Sequence, residues 1–255
     1  GSVDGAMTPL LSFLNVTKRY PDGGREILVL DRVTLDIDAG ASVGVYGPRR
    51  SGKSTLLRMA AGVASPDSGS VSFCGRDMAR MTSAERGRLL RGAIAFMCAE
   101  DWRANPGESI VDHVATSLGS QGLTMREARQ KALVILDQVG IDAGAAEEMT
   151  ASLSLTQRTR VMLARALARE PRLLVLDEPA AMPSPSDRGR FHELLRSVAQ
   201  QGGMALLVAS EEMSALSGFD VLTSISEGEL RSTDERSMLV RFPGRGLAGA
   251  ELSGS

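Results

Sequence analysis

Apolar positions along the first forty residues follow a strand rhythm. LSFLNVTKRY (11–20), EILVL (26–30) and VTLDIDAG (33–40) are alternating or β-branched segments, broken by the turn sequence PDGG at 21–24. The spacing predicts an antiparallel layer. SVGVY (42–46) is a short apolar strand that runs into GPRRSGKST, and TLLRMAAG behind it has helical spacing ending in Gly62. VSFCG (71–75) and AIAFM (93–97) predict further strands around SAERGRLLRG, a short polar helix. From Asp101 to about Thr150 no strand pattern occurs, and SIVDHVATSL and TMREARQKALVILDQVG are amphipathic, so a helical insert is expected at about 100–160. LSLTQ (153–157) then opens the helical run RTRVMLARALARE. Strand signals return at LLVLD (173–177), ALLVAS (205–210) and VLTSI (221–225), alternating with helices at 186–201 and 211–217. Such alternation predicts an α/β domain over 8–232 with a mainly parallel sheet covered on both faces. Residues 233–255 are expected to be a loose tail, and Gly1 to Ala6, ahead of Met7, an expression scar.

Composition narrows the classes. With 255 residues, 43% hydrophobic content and a net charge of -2, the chain can bury a full core and has no bulk charge with which to hold nucleic acid. Binding of a small anion needs a local device. No apolar run approaches the roughly 20 residues that span a bilayer, and the start lacks a signal-peptide pattern, so a cytoplasmic location is expected. Cys74 and Cys98 are expected to be reduced, buried fillers.

That local device is GPRRSGKS, Gly47 to Ser54, a full match to the phosphate-loop pattern with a strand before it and a helix after it. Gly47 and Gly52 let the backbone wrap so that successive amides converge, and the helix start adds positive potential. Pro48, Arg49, Arg50 and Ser51 complete the loop. Lys53 is the candidate for the β- and γ-phosphates, Ser54 for Mg²⁺ and Thr55 for the α-phosphate. LLVLDEP supplies acids at the tip of a buried strand: Asp177 as a metal-supporting carboxylate and Glu178 as the group that polarises the attacking water.

With GPRRSGKST, LSLTQ heading a helix and LLVLDEP in that order, the chain resembles the ATP-binding subunit of ABC transporters from Leu11 to Arg231. The segment MARMTSAERGRLLRGAIAFM is similar to the lipoprotein-release and macrolide-exporter type. The resemblance implies a P-loop NTPase core of the RecA-like kind, with an N-terminal antiparallel β-layer and a helical subdomain insert. It implies ATP and Mg²⁺ as cofactors, Tyr20 stacking on adenine, and a permease in the membrane. It further implies a second ATPase subunit, as hetero- or homodimer, whose nucleotide meets the helix start at Ser154 and Gln157. The expected location is peripheral, on the cytoplasmic membrane face.

Several positions depart from that pattern. Leu155 and Thr156 stand where two glycines would let amides approach phosphate, while Ser154 and Gln157 also form a capping box, leaving two readings of LSLTQ. Ala99, followed by Glu100, replaces a glutamine, and Ser210 replaces a histidine; Pro183, Ser184 and Pro185 occupy a loop that ordinarily carries an aspartate. His113 and His192 lie elsewhere on helices and are expected at surfaces or interfaces. Slow hydrolysis with retained ATP binding is therefore expected. The alternative is a regulatory module that holds nucleotide with little or no turnover.

Overall fold

The computed structural model describes residues 8–98, 102–177 and 184–233, and at Ser120 the backbone alone. Strands β1 (Leu11–Asp22) and β2 (Arg25–Ile37) form an antiparallel hairpin closed by Gly23 and Gly24, both at positive φ as a tight turn requires. Next come β3 (Ser42–Tyr46), helix α1 (Lys53–Ala60), β4 (Ser68–Phe73) and β5 (Arg76–Asp77). Helix α2 (Ser83–Arg91) and β6 (Ile94–Met97) complete this half. The front layer has the order β2-β1-β4-β5 and is antiparallel throughout, as the alternation predicts.

The insert contains α3 (Ile110–Ala115), α4 (Met125–Gln138), α5 (Ala143–Ala146) and α6 (Leu155–Leu167). Each begins on a side-chain cap, Ser109, Thr124, Asp142 and Ser154 respectively, which is why the sequence breaks into several short helices here. After it follow β7 (Leu173–Leu176), α7 (Pro185–Gly202), β8 (Ala205–Ser210), β9 (Val221–Ser226) and β10 (Glu229–Ser232). Ser184 caps α7, and Pro185 sits in its first turn, where its missing N–H costs nothing.

The second sheet runs β10-β9-β3-β8-β7-β6, parallel except for β10. Period-two alternation divides its side chains between two cores. Val43, Val45, Leu173, Val175, Leu207 and Ala209 pack with Leu56 and Leu57 of α1 and with the front layer. Leu174, Leu176, Leu206 and Val208 face the other way, onto α6, α7 and the insert. Both faces are thereby covered.

Three expectations change, and one strand is added. The helix expected at 211–217 is a single 3-10 turn, Met213–Leu216, because Gly218 at positive φ ends it early. β10 is a strand that the sequence pattern does not show, inside the expected domain; Glu227 and Gly228, both at positive φ, turn the chain back along β9. Cys74 is exposed rather than buried, its sulfur accepting from the Arg172 guanidinium at 3.1 Å, and Cys98 is half-buried; neither forms a disulfide. Both histidines are buried, at 3% and 2% exposure. Arginine only donates, so Arg165 donates to Nε2 of His113 at 3.0 Å and Nδ1–H donates to Glu108 at 3.0 Å. His192 meets the Ala215 carbonyl through Nδ1 at 2.6 Å. Partners within the fold, not solvent, hold these rings, and the sequence pattern does not show them.

A phosphate cradle between β3 and α1

Gly47 to Gly52 connect the C-terminal tip of β3 to the start of α1. The cradle is anchored in the sheet by Gly47, whose N–H donates to the Ser210 carbonyl at 3.2 Å on neighbouring β8. A Cβ on Gly47 would lie 2.3 Å from the Ile225 carbonyl oxygen, and one on Gly52 would lie 2.7 Å from that of Val29. Gly52 also has φ 105, the left-handed region. Both positions thus demand glycine for space, and the second also for conformation.

No side chain caps α1 at Gly52, and its first turn holds no acidic residue. The first amides of that helix are thereby left to an external acceptor, and the dipole favours an anionic one. Lys53 is buried, its ammonium donating to the carbonyls of Gly47 at 2.6 Å and Pro48 at 2.7 Å. The Ser51 hydroxyl is buried without a partner among the described residues. An orphaned hydroxyl, two positions that exclude a Cβ and uncapped amides fit a polyphosphate. Ser54 is exposed and Thr55 half-buried at the mouth.

Asp177 follows β7, and its N–H donates to the Met97 carbonyl at 2.9 Å, continuing the pairing with β6. It lies at the C-terminal edge of the parallel sheet, the same edge as the cradle, with β8 between the two strands concerned. Glu178, Ala99, Glu100 and Pro183 lie outside the described residues. Tyr20 is 38% exposed near the end of the β1–β2 hairpin, with the Lys18 ammonium 5.3 Å from its ring centroid. Its register partner is Ile27, two residues before Val29, whose carbonyl packs against Gly52, so this hairpin flanks the cradle.

Ser210 is fully buried, and its hydroxyl accepts from the Glu212 N–H at 3.1 Å. The next residue, Glu211, pairs with Arg49 at 3.2 Å. That link between the cradle and the segment after β8 has no counterpart in the periodicity; the doubled arginine inside the loop was its one sequence trace.

At the start of α6, Ser154 and Gln157 close a reciprocal box: the Gln157 N–H donates to the Ser154 hydroxyl at 3.2 Å, and the Ser154 N–H donates to the Gln157 side chain at 2.9 Å. Leu155 is 49% exposed at the tip. The capping reading of LSLTQ is thus realised in the geometry, with an apolar side chain at the helix start. α6 is tied to α3 through Arg165 and His113; burial, and next the Arg165 charge, hold the His113 pKa below the usual imidazole value. Trp102 lies against both, 5.3 Å from the His113 ring and 5.8 Å from the Arg158 guanidinium.

Comparison with known proteins bears on these features. Residues 30–181 match the ABC transporter family. The lipoprotein-releasing system ATP-binding protein LolD 2 of Caulobacter vibrioides is 31% identical over 222 residues, covering 87% of this chain and 96% of that one. The aliphatic sulfonates import ATP-binding protein SsuB of Cupriavidus necator is 38% identical over 235 residues, covering 92% and 71%. Among solved structures, the dimeric post-hydrolysis state of the ATP-binding cassette MJ0796 bound to ADP and Pi superposes with a TM-score of 0.78 at 24% identity, covering 88% and 99%. That likeness is one of fold.

Proposed function

The chain belongs to the ABC transporter family, and on that premise we propose that it binds Mg-ATP in the cradle of residues 47–55 and couples binding and slow hydrolysis to a transmembrane permease. The observation that carries this reading is the cradle itself: two glycines with no room for a Cβ, an uncapped helix start and a buried lysine. In this reading Lys53 meets the outer phosphates, Ser54 and Asp177 support the magnesium ion, Thr55 meets the inner phosphate and Tyr20 packs on the base. Glu178 polarises the attacking water. Relatives named as ATP-binding proteins of release and import systems support a permease partner and a peripheral place at the membrane. Among the described residues no helix is long and apolar enough to cross a membrane.

Slow turnover is favoured by two observations. The Ser210 side chain is enclosed and engaged with backbone, and Leu155 stands exposed at the start of α6, where in this reading a second subunit's phosphate would approach. One lost transition-state contact slows hydrolysis by about 10²- to 10³-fold. A heterodimer with a more complete second ATPase subunit follows from this, since each composite site would then retain one equipped half.

Calorimetric titration with Mg-ATP tests the reading. The chain is expected to bind saturably, and Lys53→Ala to weaken binding by about 10- to 100-fold through loss of a charge-assisted contact. No saturable binding, or no change in the variant, would reject it. A single-chain turnover of tens per second would reject the slow-hydrolysis part alone.

A further inference from the structure

Six non-glycine residues among those described have positive φ, and Arg50, at φ 61, alone lies in the phosphate cradle. An L-residue adopts this conformation at a cost, and such strain persists where the surroundings impose it, most often at ligand sites. At this position glycine would be the low-cost choice. The chain instead carries its bulkiest cation there.

The charge is also uncommitted. Among the described residues the exposed Arg50 guanidinium has neither an acidic partner nor a hydrogen bond, whereas neighbouring Arg49 is paired with Glu211 and Lys53 is held by two carbonyls. Around the cradle, the buried Ser210 hydroxyl brings no charge, and the start of α6 closes on its own side chains. Besides Lys53, the positive charge open to the outermost phosphate is therefore on the cradle rim. A guanidinium presents a planar fork of donors that matches phosphate oxygens and stays charged at every physiological pH.

We propose that Arg50 is a specificity-determining residue of this site: its side chain meets the terminal phosphate and makes the cradle prefer a nucleoside triphosphate over a diphosphate. This rests on reading residues 47–55 as the ATP site. It assigns to a side chain what the remainder of the loop does with backbone amides, and it supplies in cis a cationic contact that neither Ser210 nor Leu155 can give.

Binding of Mg-ATP and Mg-ADP to the full chain, measured by calorimetry for wild type, Arg50→Gly and Arg50→Lys, together with melting without nucleotide, tests it. Arg50→Gly is expected to weaken Mg-ATP about tenfold, the worth of one charge-assisted contact at an exposed rim, and Mg-ADP less than about twofold. Its melting temperature is expected not to fall, because glycine accepts φ 61 freely and no contact is lost. Arg50→Lys, which keeps the charge but not the fork, should retain part of the preference. An unchanged ATP-to-ADP ratio in Arg50→Gly overturns the proposal, as does an equal loss for both nucleotides with a lowered melting temperature. Wild type that binds neither nucleotide overturns instead the reading beneath it.

Discussion

The starts of α1 and α6 are both helix N-termini, yet they dispose of their amides in opposite ways. α1 begins on a left-handed glycine without a side-chain cap or first-turn acid, and a buried lysine opens its first turn. α6 begins on Ser154 with Gln157 closing a reciprocal box, and an exposed leucine occupies the tip. Every helix leaves four N–H groups without intrahelical partners. Whether they serve a ligand or the chain itself depends on which residues stand at the N-cap and N3. The first arrangement is open to a polyanion. The second closes on its own side chains, and of the anion-site pattern it resembles it keeps Ser154 and Gln157.

The largest effect should come from closing the open end. Gly47→Ala places a Cβ 2.3 Å from the Ile225 carbonyl and 2.8 Å from the Ser51 hydroxyl, and the backbone contact cannot be relieved by a rotamer change. Overpacking of this kind costs about 3 kcal/mol, a fall of roughly 6–12 °C in melting temperature for a domain of this size. Differential scanning calorimetry reads it directly. A fall of less than a few degrees would mean that the loop can move away from β9, and the fit of the cradle would then owe little to glycine.

The self-capped end should respond more weakly. Ser154→Ala removes the acceptor for the Gln157 N–H and is expected to cost about 1 kcal/mol, or roughly 2–4 °C. Ser154→Thr should keep most of that stability, because the threonine hydroxyl can accept the same bond. A full loss in this conservative variant would break the contrast, since the cap would then not be what holds this helix start.

Much of this contrast was legible in the sequence. GPRRSGKS flanked by a strand and a helix located the open site, and Ser154 with Gln157 three residues on announced the box. Apart from β5, the strands from Leu11 to Ile225 followed from alternation or short apolar runs, and period two also decides which of the two cores each side chain enters. What escaped were features fixed by partners remote in sequence. β10 exists because Glu227 and Gly228 turn it onto β9. His113 and His192 are held inside by Glu108, Arg165 and the Ala215 carbonyl, and a lone histidine in a helical pattern carries no mark of that. Cys74 looked like strand filler but sits at φ 51 beside Arg172, outside the pleat. Arg50 gave no sign of its left-handed backbone, which follows from how the loop closes.

The smallest effect separates the two helices by pH. α1 is held by apolar contacts of Leu56, Leu57 and Met59, none of which titrates. α6 is held in part by Arg165 donating to His113, whose ring also donates to Glu108. Burial holds the His113 pKa below its usual value, with the Arg165 charge adding to the effect; burial likewise dominates at His192. In the unfolded chain these imidazoles take up protons near pH 6.5, whereas in the folded chain they do so only at lower pH. The unfolded state therefore binds more protons in that window. Their stabilisation is complete above about pH 6.5 and is lost as pH falls toward the folded values. Protonating His113 also puts a hydrogen on Nε2, facing the Arg165 guanidinium, so α3 and α6 should loosen before α1. Hydrogen exchange at about pH 7.5 and about pH 5.5, on either side of the imidazole range and corrected for intrinsic rates, should show protection falling in 155–167 while 53–60 hold. Equal loss in both helices would mean that acid acts on the whole domain, and His113→Gln, which cannot titrate, should flatten the difference if the histidine is its source.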